Sequence, residues 1–256
     1  SAASDVYKRQ VLVVYICRKD RTDKEPPALI AKLLGYGVLS CLPAIVVELI
    51  LSAIIERLNV RNVYLGYFLE AFVVAGLTEE TCKFLFLRTT WRNPAFDYQF
   101  DAIVYAVMVA LGFAAFENVK YVYSYGFATG IVRAVTAVPG HAIFGVFMGY
   151  FYGYAKLSDY WGRDDDRKAY LALSVVVPVL MHGCYDFLAF TQESDSRFTL
   201  LFYAYLVALY VFGIRRVNRS SRDDRRVTRE TVFDYFRRMQ YPMPPQYRDR
   251  NDDFWR

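Results

Sequence analysis

The sequence predicts an all-α fold, a polytopic bundle of transmembrane helices. Of its 256 residues, 55% are hydrophobic, 18% are aromatic and only 22% are charged, a composition too apolar for a typical soluble domain. The apolar residues also lie in long blocks, most of which reach the roughly 20 residues that cross a bilayer as a helix. A membrane barrel would instead show alternating segments of about ten residues, and these blocks do not.

Six blocks predict clear membrane spans. They cover residues 28–55, 63–87, 101–123, 130–156, 170–191 and 198–217. A seventh, N-terminal span is indicated by the apolar run at residues 11–17, which is too short to cross a bilayer and is therefore expected to be truncated. The run lacks the basic, apolar and small-residue pattern of a cleavable signal peptide.

By composition, the chain divides into a transmembrane domain, residues 1–217, and a basic tail, residues 218–256. Within the tail, apolar residues recur at helical spacing between residues 223 and 240, which predicts a short amphipathic helix at the membrane surface. An unfolded tail fits the same composition, so both interpretations stay open. Neither interpretation suggests a catalytic role for the tail.

Lysine and arginine concentrate in every second connection between the blocks. The rich segments are residues 18–24, 83–92, 156–168 and 215–226. Because basic connections stay on the cytoplasmic side, the pattern predicts a multi-pass protein of the cell membrane with a cytoplasmic C-terminal tail. The net charge of +5 then reflects topology and attraction to the lipid bilayer, and no nucleic-acid partner is expected.

The residues able to do acid-base chemistry are few, and they lie inside apolar blocks. Glu79 and Glu80 precede Lys83 by four and three positions, so one lysine neutralises only one of the glutamates well. A buried charge costs about 3 kcal/mol near mid-bilayer, so such groups persist when paired, hydrated or used. The second glutamate would be free to act as a general base toward water. Alternatively, the pair caps a helix end at the interface.

A third glutamate, Glu117, lies beside Asn118 in the motif Phe-x-x-x-Glu-Asn. It is a candidate for the same centre, and the alternative is an interfacial ion pair with Lys120. Both residues lie in the block at residues 101–123.

The only two histidines, His141 and His182, complete the set. His141 follows Pro139, which is expected to kink its helix, and it opens a row of glycines at four-residue steps that lets helices approach closely. His182 and Asp186 are i,i+4, so the carboxylate can hold the imidazole or serve as a ligand. The alternatives are a packing motif around His141 and a purely structural hydrogen bond at His182.

Taken together, four motifs resemble those of the PrsW family of intramembrane proteases, over about residues 18–215. They are Glu-Glu-x-x-Lys at 79–83, Phe-x-x-x-Glu-Asn at 113–118, His-x-x-x-Gly at 141–145 and His-x-x-x-Asp at 182–186. That family is distantly similar to CAAX prenyl endopeptidases and bacteriocin-processing enzymes. Its best-known role is the first cut in an anti-sigma factor at the outer side of a bacterial cytoplasmic membrane. The resemblance implies a membrane-anchored protein substrate.

The resemblance also implies a set of active-site residues. They are Glu79, Glu80, Lys83, Glu117, His141 and His182, with Asp186 and Asn118 in support. Two imidazoles and a carboxylate are a common ligand set of catalytic zinc. In that scheme His141, His182 and Glu117 bind Zn²⁺, with Glu80 as a further candidate ligand, and Glu79 or Glu80 deprotonates water.

Three other hypotheses are open at this stage. In a metal-free protease, a glutamate activates water and a histidine stabilises the oxyanion. In a proton- or ion-coupled transporter, the same buried Glu and His groups relay protons or bind ions, although no inverted repeat is visible. In a catalytically silent scaffold, the glycine row binds membrane partners. The sequence does not specify an oligomeric state.

Overall fold

The computed structural model describes residues 12–20 and 24–227. Long apolar segments have no water to hydrogen-bond their backbone in a membrane, so they satisfy it internally as helices, and helices dominate the described chain. In order they are α1 (residues 12–19), α2 (Pro27–Arg57), α3 (Val63–Phe68), π1 (Leu69–Leu77), α4 (Thr78–Leu87), α5 (Asp101–Tyr125), α6 (Phe127–Val135), α7 (Ala137–Tyr160), α8 (Asp164–Ser194) and α9 (Arg197–Arg222).

The all-α membrane bundle is confirmed, with one difference in the count of spans. Within the described residues, five helical segments are long and apolar enough to cross a membrane, where the sequence predicts six. The predicted span that is not among these five is residues 63–87. It is helical throughout but changes from α-helix to π-helix and back. No single α-helix within it is therefore long enough, although the helical rod is continuous.

α5 occupies the centre of the bundle, and every residue from Asp101 to Ala114 is buried. α7 packs along it through the predicted glycine row. A Cβ atom added at Gly149 would overlap the backbone of Ala102 and Ile103, and one at Gly145 would lie 3.0 Å from the Ala106 carbonyl oxygen. The glycines therefore let the two helix backbones touch, which holds the start of α7 against α5.

The break near Pro139 differs from the predicted kink. α6 ends at Val135 and α7 begins at Ala137, so the chain turns at Thr136, three residues before the proline. Pro139 then lies in the first turn of α7, where its missing N–H leaves no hydrogen bond unmade. The helix that carries His141 therefore starts one turn before it.

The first residues of the predicted tail are part of the fold. α9 continues to Arg222, and the chain then runs back to the connection before α5, where the Gln99 amide donates to the Arg225 carbonyl at 2.7 Å. The Phe100 amide donates to the Asp224 carboxylate at 2.9 Å. The predicted amphipathic helix of the tail lies outside the described residues from position 228 onward, as do residues 1–11 of the N-terminal segment.

We expect Gly149→Ala to lower the free energy of unfolding by about 1–3 kcal/mol, because the new methyl group overlaps the α5 backbone and forces the helices apart. Thermal unfolding in detergent measures the loss. Gly35→Ala is the matched control, since a Cβ there meets nothing within 4 Å. Equal melting temperatures for the two variants would contradict this account of the α5–α7 contact.

Candidate functional site

Four potential ligand side chains meet where α4, α7 and α8 come together. They are Glu79 and Glu80 in the first turn of α4, His141 in α7 and His182 in α8, and all four are buried. One ligand atom from each lies within 4.8 Å of the others. Side chains from three separate spans thus converge, as the sequence predicts.

The π-helical segment sets the position of the two glutamates. π1 ends at Leu77, so Glu79 and Glu80 follow directly from its wider turns, and π-helical segments recur at functional sites. A Cβ atom at Gly76 would lie 3.1 Å from the Val179 carbonyl oxygen and 3.3 Å from the Gly183 amide nitrogen. The close approach of π1 and α8 brings Glu80 beside His182.

Lys83 joins both glutamates to the first histidine. Its ammonium lies 2.7 Å from Glu80 Oε1, 3.1 Å from Glu79 Oε2 and 3.1 Å from His141 Nδ1. It also lies 4.0 Å from the ring centroid of Phe113. The ammonium is therefore within hydrogen-bonding distance of both carboxylates, but the shorter contact is to Glu80, and the single positive charge balances only one of the two.

His182 lies between two carboxylates. Its Nδ1 is 2.9 Å from Glu80 Oε1, and its Nε2 is 3.2 Å from Asp186 Oδ2, the predicted i,i+4 contact. Phe144 stacks on the imidazole with ring centroids 5.1 Å apart. The ring is thus held by charge at both nitrogens and by an aromatic face.

His141 has the same arrangement on the other side. Its Nδ1 faces Lys83, and its Nε2 is 2.9 Å from Glu117 Oε2. The two imidazole rings are perpendicular, with centroids 5.0 Å apart. In both histidines, therefore, Nδ1 points to the shared glutamate–lysine group and Nε2 to a separate carboxylate.

Glu117 has a partner that the sequence interpretation did not identify. Arg133 of α6 lies 2.8 Å from Glu117 Oε1 and stacks on the Tyr121 ring at 3.7 Å, so the alternative of a pair with Lys120 is not what the structure shows. The available signal was the position of Arg133 inside the predicted span 130–156, because an intramembrane arginine requires a counter-ion.

The other acidic and amide candidates have different positions. Glu48 and Glu70 both line a cavity that reaches Glu79, Glu117 and both histidines. Asn118 is buried on the side of α5 that faces α6, with its amide nitrogen near Gly130. Asn118 therefore lies at the contact between α5 and α6, the helices that carry Glu117 and Arg133.

The eight side chains linked by these contacts form what we call the Glu/His cluster. Its members are Glu79, Glu80, Lys83, Glu117, Arg133, His141, His182 and Asp186. It combines four carboxylates and two imidazoles with two permanently charged cations, Lys83 and Arg133. Glu80 Oε2 has no hydrogen-bond partner among the described residues. Carboxylate and imidazole donors fit a divalent cation.

Comparison with known proteins identifies the family of the chain. A model described as the PrsW family intramembrane metalloprotease matches residues 25–214. The chain belongs to the PrsW family. It is therefore an intramembrane protease, and the resemblance seen in its four motifs is confirmed.

Relatives named Protease PrsW match most of their own length. The chain is 34% identical to the protein of Bacillus subtilis over 210 residues, which cover 82% of this chain and 90% of that protein. It is 35% identical to the protein of Oceanobacillus iheyensis, with 82% and 91% covered, and 32% identical to that of Geobacillus kaustophilus, with 82% and 87% covered. No solved structure matches the chain.

We expect Lys83→Met to lower the free energy of unfolding by about 3–5 kcal/mol, because it leaves two buried carboxylates without their counter-ion. Thermal unfolding in detergent, in the presence of a metal chelator, measures the effect. Lys168→Met removes a lysine from an exposed ion pair and should change stability by less than about 1 kcal/mol. Equal stability of the two variants would show that Lys83 does not hold the PrsW site together.

Proposed function

We propose that this PrsW protease hydrolyses a peptide bond of a membrane-anchored protein at the Glu/His cluster, with a divalent metal ion bound there. One observation carries the proposal: both histidines point Nδ1 to the shared group of Glu79, Glu80 and Lys83 while a separate carboxylate holds Nε2. Metal-binding histidines characteristically use their second nitrogen in this way. Following the family's best-known role, we propose an anti-sigma-factor-like protein as the substrate.

The structure favours a ligand set that differs from the sequence hypothesis in one position. His141, His182 and Glu80 would hold the ion, since all three belong to the close group and Glu80 has an oxygen without a partner. Glu117, the ligand proposed from the sequence, instead contacts His141 Nε2 and Arg133. We propose zinc, which when bound would supply polarisation of the scissile carbonyl and activation of water.

Glu79 is the better placed of the two glutamates for proton transfer. It lines the cavity, whereas Glu80 lies behind it and is fully buried. In hydrolysis the oxygen of water bonds to the carbonyl carbon and the carbon–nitrogen bond breaks. Glu79 takes the proton released by the water and returns it to the leaving nitrogen, so it acts first as a base and then as an acid.

Glu117 and Asp186 act through the histidines. Each carboxylate fixes the orientation of one imidazole and accepts the proton on its Nε2, so that Nδ1 would carry the lone pair that a metal ion needs. Arg133 in turn fixes Glu117 from α6. We therefore propose these three as positioning residues.

Glu79→Gln, Glu80→Gln, His141→Ala and His182→Ala should each lower kcat for cleavage of a single-span reporter by at least about 100-fold, the usual effect of losing an acid-base or ligand group. Proteoliposomes with mass analysis of the products provide the assay. Glu56→Gln changes an exposed carboxylate of α2 and is the control. Full activity in the Glu79 and Glu80 variants would reject the site.

Purified protein should bind about one zinc ion per chain, and Glu117→Gln and Asp186→Asn should each weaken zinc binding by about 10–100-fold. Competition with a chromogenic chelator measures the affinity without reference to catalysis, and Glu56→Gln again serves as the control. Unchanged affinity would contradict the positioning role. A metal-free protein that cleaves the reporter in excess chelator would reject the metal and favour water activation by glutamate alone.

A further inference from the structure

Glu48 and Glu70 are acidic residues inside apolar helices, and the Glu/His cluster does not include them. Glu48 lies in α2 and Glu70 in π1, and both are half-buried. A carboxylate in such a place is costly unless it is paired, hydrated or used. The structure brings both to the wall of one cavity of about 280 Å³, whose other end is lined by Glu79, His141 and His182.

One face of α2 forms a wall of this cavity. Its lining residues recur at helical spacing and are Cys41, Ile45, Glu48, Leu49 and Ser52. Cys41 lies level with the cluster, because its sulfur is 3.7 Å from the carbonyl oxygen of Phe113, whose ring contacts Lys83. A rise of about 1.5 Å per residue places Ser52 about 16 Å further along α2. The cavity wall therefore leads from the cluster toward the end of α2 that joins α3.

The polar groups of this wall meet across the cavity. Ser52 Oγ donates to Glu70 Oε2 at 3.3 Å, which connects α2 to π1. The opposite face of α2 is apolar and exposed, with Val46 at 56% and Ile50 at 55% exposure, as expected for side chains that face lipid. The carboxylates and the hydroxyl are thus turned into the cavity and away from the bilayer.

We propose that Glu48, Ser52 and Glu70 line the route by which water reaches the Glu/His cluster. The use of this route rests on the proposed function, because hydrolysis consumes one water for each bond cut. Polar side chains along an intramembrane cavity lower the free energy of water inside it, which apolar walls would not do.

Reaction of single introduced cysteines with a charged, water-soluble thiosulfonate reagent tests the route directly. Ile45→Cys and Ser52→Cys place the thiol in the cavity, and Val46→Cys and Ile50→Cys place it on the lipid side at nearly the same depth. The reactive form of cysteine is the thiolate, and it forms only where water is present. The cavity positions should therefore react at least about tenfold faster than the lipid-facing positions. Intact-mass measurement against the parent chain subtracts the four native cysteines.

A second arm separates the route from the chemistry. Glu48→Leu together with Glu70→Leu should slow both reporter cleavage and labelling of the Ile45→Cys thiol, whereas the isosteric pair Glu48→Gln and Glu70→Gln should preserve labelling. All labelling is repeated in the Glu79→Gln chain, which keeps the cavity but not the proposed base. Labelling at cavity positions no faster than at lipid positions overturns the route, even if cleavage is normal. Fast labelling without cleavage of any reporter leaves the route standing and overturns the proposed function.

Discussion

The structure depends on one buried interaction, the contact of the Lys83 ammonium with two carboxylates and an imidazole. Buried charges are stable only when they are paired and hydrogen-bonded. Lys83 meets this condition at 2.7 Å and 3.1 Å to the glutamates of its own helix and at 3.1 Å to His141 of α7. The ion pairs within α4 are local, but the contact to His141 joins two spans, so the same group that compensates charge also fixes the geometry of the site.

The fold supplies the rigidity that such a cluster requires. Gly145 and Gly149 let α7 touch the backbone of α5, and Gly76 lets π1 touch α8. Small residues thus remove the space that a side chain would fill between helices, and the helices that carry the charged groups cannot drift apart without losing these contacts. The close packing keeps the distances between the charged groups fixed. This stabilises the ion pairs, because their energy in a region of low dielectric depends steeply on distance.

How far the sequence predicts the site depends on how each contact is made. Glu79, Glu80 and Lys83 share one helix, as do His182 and Asp186, so helical spacing alone predicts their contacts. Two other contacts join different helices, Glu117 with Arg133 and Glu80 with His182. A single sequence does not show how neighbouring spans are aligned along their axes, so it does not predict these contacts. The π-helical segment before Glu79 also has no signal in an evenly apolar block, since hydrophobic periodicity disappears where every face is apolar.

The cavity limits the direction from which a substrate can approach. Behind the cluster, residues 101–114 of α5 are all buried, whereas on the side of α2 and π1 a polar wall leads toward the α2–α3 connection. The distribution of lysine and arginine predicts that this connection lies outside the cell, the side on which the family's best-known cut is made. A helix keeps its carbonyls in internal hydrogen bonds. In the proposed mechanism, a peptide bond presented to Glu79 would therefore come from a segment already unwound near this end of the bundle, where the cavity's own polar groups would replace the lost backbone hydrogen bonds.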